Sequence, residues 1–334
     1  MKKLVLILTV ITVSFSSVAQ ESNEFKPNGS PHFKVFWNYH ADLTKGATRK
    51  SAFELNRSYF GYNYNFSETI SSKITFDVGN NDAGSDFTAF LKIAQLDWKV
   101  APNVLISMGM IGNLQFDDQE DLWGYRYMFK SFQDEFKFGS SADLGVNAKF
   151  TLSEKLDANF LIFNGEGYTN LQDENGNQRF GSSLVYRPIE GLFTKIYVDA
   201  MPDDIEETML NISLSAGYQL EKIRFGAEFN QLNNGERFDV AATGKDLDGL
   251  SFYSTYTFSP KFEVFGRFDQ LSSNTLSGEA TAWNESRDGN QIVAGFQYAP
   301  VKGIKFALNY QGFNFDQVGK ETENFVFLNA EFKL

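Results

Sequence analysis

From Phe33 to Leu334 the chain repeats one pattern: stretches of about ten residues with an apolar side chain at every second position, parted by breaks that are alternately short and long. Ile292-Val293-Ala294-Gly295-Phe296-Gln297-Tyr298 and Leu144-Gly145-Val146-Asn147-Ala148-Lys149-Phe150 show it well. A period of two is what a strand needs when one face meets hydrocarbon and the other meets water. A soluble sandwich shares the alternation, but has no reason to keep tight turns at one end and long polar loops at the other. The repetition predicts an all-β fold, a transmembrane up-and-down antiparallel β-barrel.

Strands are expected at 33–43, 53–66, 70–79, 88–100, 103–111, 140–152, 155–164 and 179–187. Eight more follow at 192–201, 208–220, 222–232, 249–259, 262–271, 289–299, 303–315 and 323–334. Sixteen is an even number, as a bacterial single-chain barrel with both termini at one end requires. Seven short breaks, such as Ala101-Pro102-Asn103 and Ser259-Pro260-Lys261, carry turn chemistry. Eight long ones are rich in Asn, Asp, Gly and Ser. The chain divides into a signal peptide at 1–19, a short periplasmic segment at 20–32 and one barrel domain at 33–334. Lys2 and Lys3, the apolar run Leu4 to Val13 and the small-x-small Ser17-Val18-Ala19 mark the leader. Its apolar run is shorter than the roughly 20 residues of a spanning helix.

Composition is consistent with export to an outer membrane. Aromatic residues make up 16% of the chain, with 35 Phe and 14 Tyr, which suits outward rings and interfacial girdles. Without the two leader lysines, 28 basic residues face 42 acidic ones, a net charge of -14. That balance excludes nucleic acid as a partner. The expected surroundings are outer-membrane lipids, after delivery by the barrel-assembly machinery of a Gram-negative cell.

A sixteen-stranded barrel is wide enough for an aqueous lumen. Phe60, Tyr62, Tyr64 and Phe66 should face lipid, as should the rows Leu210 to Tyr218 and Ile304 to Tyr310. Their polar alternates should face inward, among them a basic wall of Arg57, Lys73, Arg224 and Arg267. The longest break, Gly112 to Gly139, follows the fifth strand and is expected to fold into the lumen, because a loop of this length in an economical barrel has a task. Its charges include Asp117, Asp118, Glu120, Asp121, Arg126 and Lys130. The four acids are expected to face the basic wall across a constriction and to set a transverse field. Trp123, Tyr125, Tyr127 and Phe129 are expected to pin the loop to the wall.

Three segments carry a family resemblance: Phe53-Glu54-Leu55-Asn56-Arg57-Ser58-Tyr59-Phe60-Gly61 with its hairpin through Asp77, then Ala94-Gln95-Leu96-Asp97-Trp98, then Ser141-Ala142-Asp143-Leu144-Gly145-Val146. With these the chain resembles the phosphate-selective porin O and P family of outer-membrane channels. The resemblance implies a sixteen-stranded barrel, assembly as a homotrimer and passage of anions such as phosphate. Family members place a basic residue and often a proline just after the fifth strand. The matching stretch Gly109-Met110-Ile111-Gly112-Asn113-Leu114-Gln115 has neither, and the loop that follows is net acidic.

Catalysis has little material: His32 and His40 are the only histidines, and no G-x-S-x-G motif occurs. No cofactor or metal is expected. Asp173-Glu174-Asn175-Gly176-Asn177 echoes a calcium loop without its later bidentate Glu. Phe332 and Leu334 end the outward row of the last strand and are expected to serve as the assembly signal. The function expected is an outer-membrane porin for passive diffusion of small hydrophilic solutes or ions. The alternative is a non-conducting structural or adhesive barrel.

Overall fold

The computed structural model describes residues 25–48, 51–79 and 87–334; the expected leader lies outside them. Sixteen strands form a closed antiparallel barrel. They are β1 (Asn28–Asp42), β2 (Ser51–Asn65), β3 (Ile70–Gly79), β4 (Thr88–Ala101), β5 (Val104–Gly112), β6 (Ala142–Ser153), β7 (Leu156–Phe163), β8 (Arg179–Tyr186), β9 (Leu192–Met201), β10 (Met209–Gln219), β11 (Ile223–Asn233), β14 (Leu247–Ser259), β15 (Phe262–Ser273), β16 (Gly289–Val301), β17 (Ile304–Phe315) and β18 (Glu323–Lys333). A small ribbon, β12 (Gly235–Arg237) with β13 (Val240–Ala241), stands apart in the long loop after β11. The ring closes where β1 pairs with β18, from Lys34 opposite Lys333 to Asp42 opposite Phe325. Closure leaves no open edge through the spanning region, which hydrocarbon would not tolerate.

All sixteen expected strands are present, and one boundary needs correction. The segment 20–32 is not wholly outside the barrel, since Asn28 to His32 pair with Gly61 to Asn65 and extend β1. Gly29 and Pro31 are residue types that favour turns. On the side of β1 that faces β18, pairing stops at Lys34, so Pro31 lies on a local edge where a missing N–H is tolerated. His32 therefore belongs to the lumen, with Nε2 3.0 Å from Thr75 Oγ1.

The alternation decides which side chains face out. Phe60, Tyr62 and Phe66 on β2 and its turn, Leu214 on β10, and Phe306 and Leu308 on β17 are exposed on the outer surface, while Asn211, Ser213 and Ser215 on β10 are buried within. So continuous an apolar belt has the character of a surface suited to hydrocarbon. Trp37 and Tyr39 gather around Phe53 toward the loop end, and Tyr62, Tyr64 and Phe66 form a second aromatic row toward the turn end. Phe332 and Leu334 are exposed on the outside at the turn end. An arginine at position 214, midway along β10, is expected to destabilise the barrel by about 2–4 kcal/mol. Urea titration of Leu214→Arg in lipid vesicles measures this, and unchanged stability would contradict the outward row.

Candidate channel constriction

The segment between β5 and β6 enters the lumen and folds into two short helices, α1 (Asp117–Trp123) and α2 (Phe132–Glu135). Its neck is tied to itself. Gln115 Nε2 donates to Gln133 Oε1 at 2.6 Å and to the Phe138 carbonyl at 3.1 Å, all of it buried. From there the segment leans on one half of the wall. Trp123, Tyr125 and Tyr127 are buried against Phe193 of β9, Tyr253 of β14, Phe265 of β15 and Val293 of β16. Phe132 and Phe138 pack with Met201, Met209, Leu232, Leu247 and Leu271. Hydroxyls complete the docking: Tyr125 donates to Glu263 at 2.8 Å and Tyr127 to Gln297 at 3.0 Å.

Several wall cations serve this docking. Lys195 of β9, only 2% exposed, donates to the Leu114 carbonyl at 2.6 Å, to Asp117 at 2.6 Å and to Asp118 at 2.9 Å. Arg187, in the turn after β8, holds Asp118 at 2.6 Å and Asp157 at 3.0 Å. Arg267 pairs with Asp269, donates to the Lys130 carbonyl at 2.7 Å and lies over the rings of Trp123 and Phe129. Arg224 pairs with Glu263 and covers the ring of Tyr125. Within the segment, Arg126 bridges Glu120 at 3.2 Å and Asp134 at 3.0 Å, and Lys130 stands 3.9 Å from Asp134.

The expected confrontation of four acids with Arg57, Lys73, Arg224 and Arg267 is thus corrected. Arg224 and Arg267 are clamps beneath the loop, each spent on its own carboxylate and an aromatic ring. Arg57 is taken by Asp77 and by Tyr168 Oη. Of the four, Lys73 alone lines a cavity with any of the acids, namely Asp117 and Glu120. Asp121 is exposed toward the turn-end mouth, where it shares a cavity with Asp118.

Open space remains along the other half of the wall, beside β1 to β4. An outer cavity of about 570 Å³ and an inner one of about 450 Å³ lie there, and both are lined by Phe36 and Arg126. The inner one receives Lys34 from β1, Lys73 from β3 and Lys92 from β4. A bulge, where Thr75–Phe76 of β3 opposes Leu91–Ile93 of β4, brings Lys92 and Ile93 into the same lining. Lys92 Nζ sits 4.9 Å from the Tyr59 ring and 5.1 Å from that of Tyr168, which reaches in from the loop after β7. Lys34, Lys73 and Lys92 make no ion pair among the described residues.

The barrel was compared with known proteins. No protein-family model matches the chain, and no curated protein matches it in sequence. Solved structures do. OmpF of Salmonella typhi, solved with daunomycin, superposes with a TM-score of 0.70 over 92% of this chain and 97% of its own, at 13% identity. The anion-selective porin of Comamonas acidovorans gives 0.67 over 92% and 100%, at 9% identity. The trimer form of OmpT, an outer membrane protein of Vibrio cholerae, gives 0.60 over 92% and 99%, at 12% identity. The chain has the porin fold. Within that fold, the phosphate-selective resemblance found in the sequence has no matching family model.

Among the described residues, no cluster of histidines and carboxylates is built to hold a metal. Asp173, from the calcium-like stretch, instead caps its own turn through Asn175. His40 is held by Asn38 and stands 3.5 Å from Glu54.

Burial alone would raise the Asp134 carboxyl, but Arg126 and the nearby lysines outweigh it and hold it down to about 2. A carboxyl kept below its ordinary value of 3.8 contributes fully above about pH 4, and that contribution fades as pH falls toward 2. Thermal unfolding in detergent between pH 5 and pH 2, all approximate bounds of that window, should therefore fall more steeply for the wild type than for Asp134→Asn. Parallel curves would contradict the Arg126–Asp134 tie.

Proposed function

We propose that the protein is an outer-membrane channel for passive diffusion of small hydrophilic solutes, and that its narrow passage favours anions. The porin fold supports the first part. The second rests on one observation: Lys34, Lys73 and Lys92 share the inner cavity without an ion-pair partner among the described residues, whereas Asp117, Asp118 and Glu120 are each engaged by a cation. A solute passing between the loop and β1 to β4 meets unneutralised positive charge in a confined space, where it is weakly screened. Net charge points the other way, at -12 for the whole chain, but ion preference is set by the charges that line the passage. The sequence resemblance to phosphate-selective porins makes phosphate the first anion to try after chloride.

In this reading residues 1–19 direct export and are removed, and Phe332 and Leu334 present the outward end of β18 to the assembly machinery. The barrel rests in outer-membrane lipid with its short turns in the periplasm. A homotrimer is part of the proposal, in line with the trimer described for the Vibrio cholerae neighbour. No catalytic step is proposed, since His32 and His40 are engaged with wall residues rather than with a nucleophile.

The reversal potential of purified protein in a planar bilayer under a potassium chloride gradient tests this. The wild type should prefer chloride, and Lys34→Gln, Lys73→Gln and Lys92→Gln combined should abolish or invert the preference. Cation preference in the wild type would contradict the proposal. Absence of conductance would return the barrel to a structural or adhesive role.

A further inference from the structure

Beneath the constriction loop lies a group of buried polar atoms that the docking contacts leave unanswered. Three inward rows run side by side across β10, β11 and β14: Gly217–Gly226–Tyr253, then Ser215–Glu228–Ser251, then Ser213–Asn230–Gly249. Helix α1 covers the first row. A Cβ on Gly217 would collide with Leu122, and Tyr253 Oη donates to the Gln119 carbonyl at 3.3 Å. The segment at α2 covers the third, where a Cβ on Gly249 would collide with Phe132 and Gln133 Nε2 donates to Ser213 Oγ at 3.0 Å. The middle row is roofed by neither contact.

Its side chains, with Asn230 of the third row and Gln119 of α1, are nevertheless sealed from solvent. Ser215 is 7% exposed, Glu228 3%, and Ser251, Asn230 and Gln119 are at 0%. Seven of their atoms lie beyond normal hydrogen-bond distance of any protein partner: Ser215 Oγ, Ser251 Oγ, Glu228 Oε2, and both polar side-chain atoms of Asn230 and of Gln119, although the Glu228 carboxylate interacts with Asn230 and Tyr253. Buried polar groups in such number, gathered in one place, imply a bound species. Charge identifies its sign. Next to Ser251 across β15, Asp269 is neutralised by Arg267, which spends its remaining contact on the Lys130 carbonyl. Glu228 forms no ion pair among the described residues. One carboxylate is thus left over in a closed space, surrounded by neutral oxygen donors.

We propose that Glu228, the side-chain carbonyls of Gln119 and Asn230, and the hydroxyls of Ser215 and Ser251 bind a monovalent alkali cation, sodium or potassium, with its hydration water. Hard oxygen ligands suit such an ion, and a single charge balances the single carboxylate. A divalent ion would leave a net positive charge in the same low-dielectric space. The amide nitrogens of Gln119 and Asn230 then donate to that water. Because Gln119 belongs to α1 and the other four to the wall, the ion fastens the loop to β10, β11 and β14.

Crystals grown with thallium(I) in place of potassium test the site directly. An anomalous peak is expected beside Glu228 and should disappear in Glu228→Gln. In parallel, replacing potassium chloride by N-methylglucamine chloride at equal ionic strength should lower the wild-type unfolding temperature and leave that of Glu228→Gln unmoved. If Glu228→Gln does not assemble, Ser251→Ala removes one ligand oxygen and no charge, and should weaken the peak. A wild type with water alone at the site, a peak indifferent to both substitutions, or equal responses to the cation exchange would overturn the proposal. These readings do not involve conduction and so stand apart from the channel assignment.

Discussion

Backbone hydrogen bonding is the constraint from which the other features follow. In hydrocarbon every N–H and C=O of a spanning segment needs a partner from the protein, because water is absent. Strands meet that need only as a ring, and the pairing of β1 with β18 completes it. A closed ring of sixteen strands then has a fixed consequence. Half of each strand's side chains point into a lumen too wide for them to fill. The apolar half points outward and the inward half is polar, so the chain must supply something further to occupy or shape the space.

The segment between β5 and β6 supplies it, and does so unevenly. By settling on β8 to β17 it turns half of the lumen into a packed polar core, in which Arg267, Arg224 and Lys195 are each matched to carboxylates and to ring faces or carbonyls. Leaving any of these cations buried without its partner would cost several kcal/mol, which is why the pairing is so complete. What remains open is the strip beside β1 to β4. There Arg57 is matched by Asp77, but Lys34, Lys73 and Lys92 make no ion pair among the described residues, and they give this half its charge. Tyr168 adds a second inward element, since it joins Arg57 and Asp77 and, with Tyr59, lies beside the Lys92 ammonium.

Strand positions were legible because a period of two is local: Leu214 and Ser215 announce their faces whatever lies across the ring. The start of β1 was not, because Gly29 and Pro31 carry turn chemistry, and only the partner strand β2 and the free edge beside β18 make them strand. Nor was the partner of each charge. Alternation marks Lys195, Arg224 and Arg267 as inward, yet whether they line a passage or clamp a loop depends on the path of Gly112 to Gly139, which is set by long-range packing of Trp123, Tyr125 and Phe132. Lys34 and Lys92 were legible only in part. The first stands on the inward row of β1, whereas the second depends on a bulge that shifts its parity. The helices α1 and α2 are too short to leave a periodic signature, and the β12–β13 ribbon is shorter still.

The central claim is that the passage runs along β1 to β4 and that the opposite half is closed by the loop. The chain has no cysteine, so single cysteines report their own accessibility without background. Conductance of reconstituted Lys73→Cys and Ser251→Cys barrels would be recorded while a small water-soluble thiosulfonate is added. The account predicts a prompt stepwise fall for position 73 and no change for position 251. Equal modification of both, or modification of 251 alone, would contradict it.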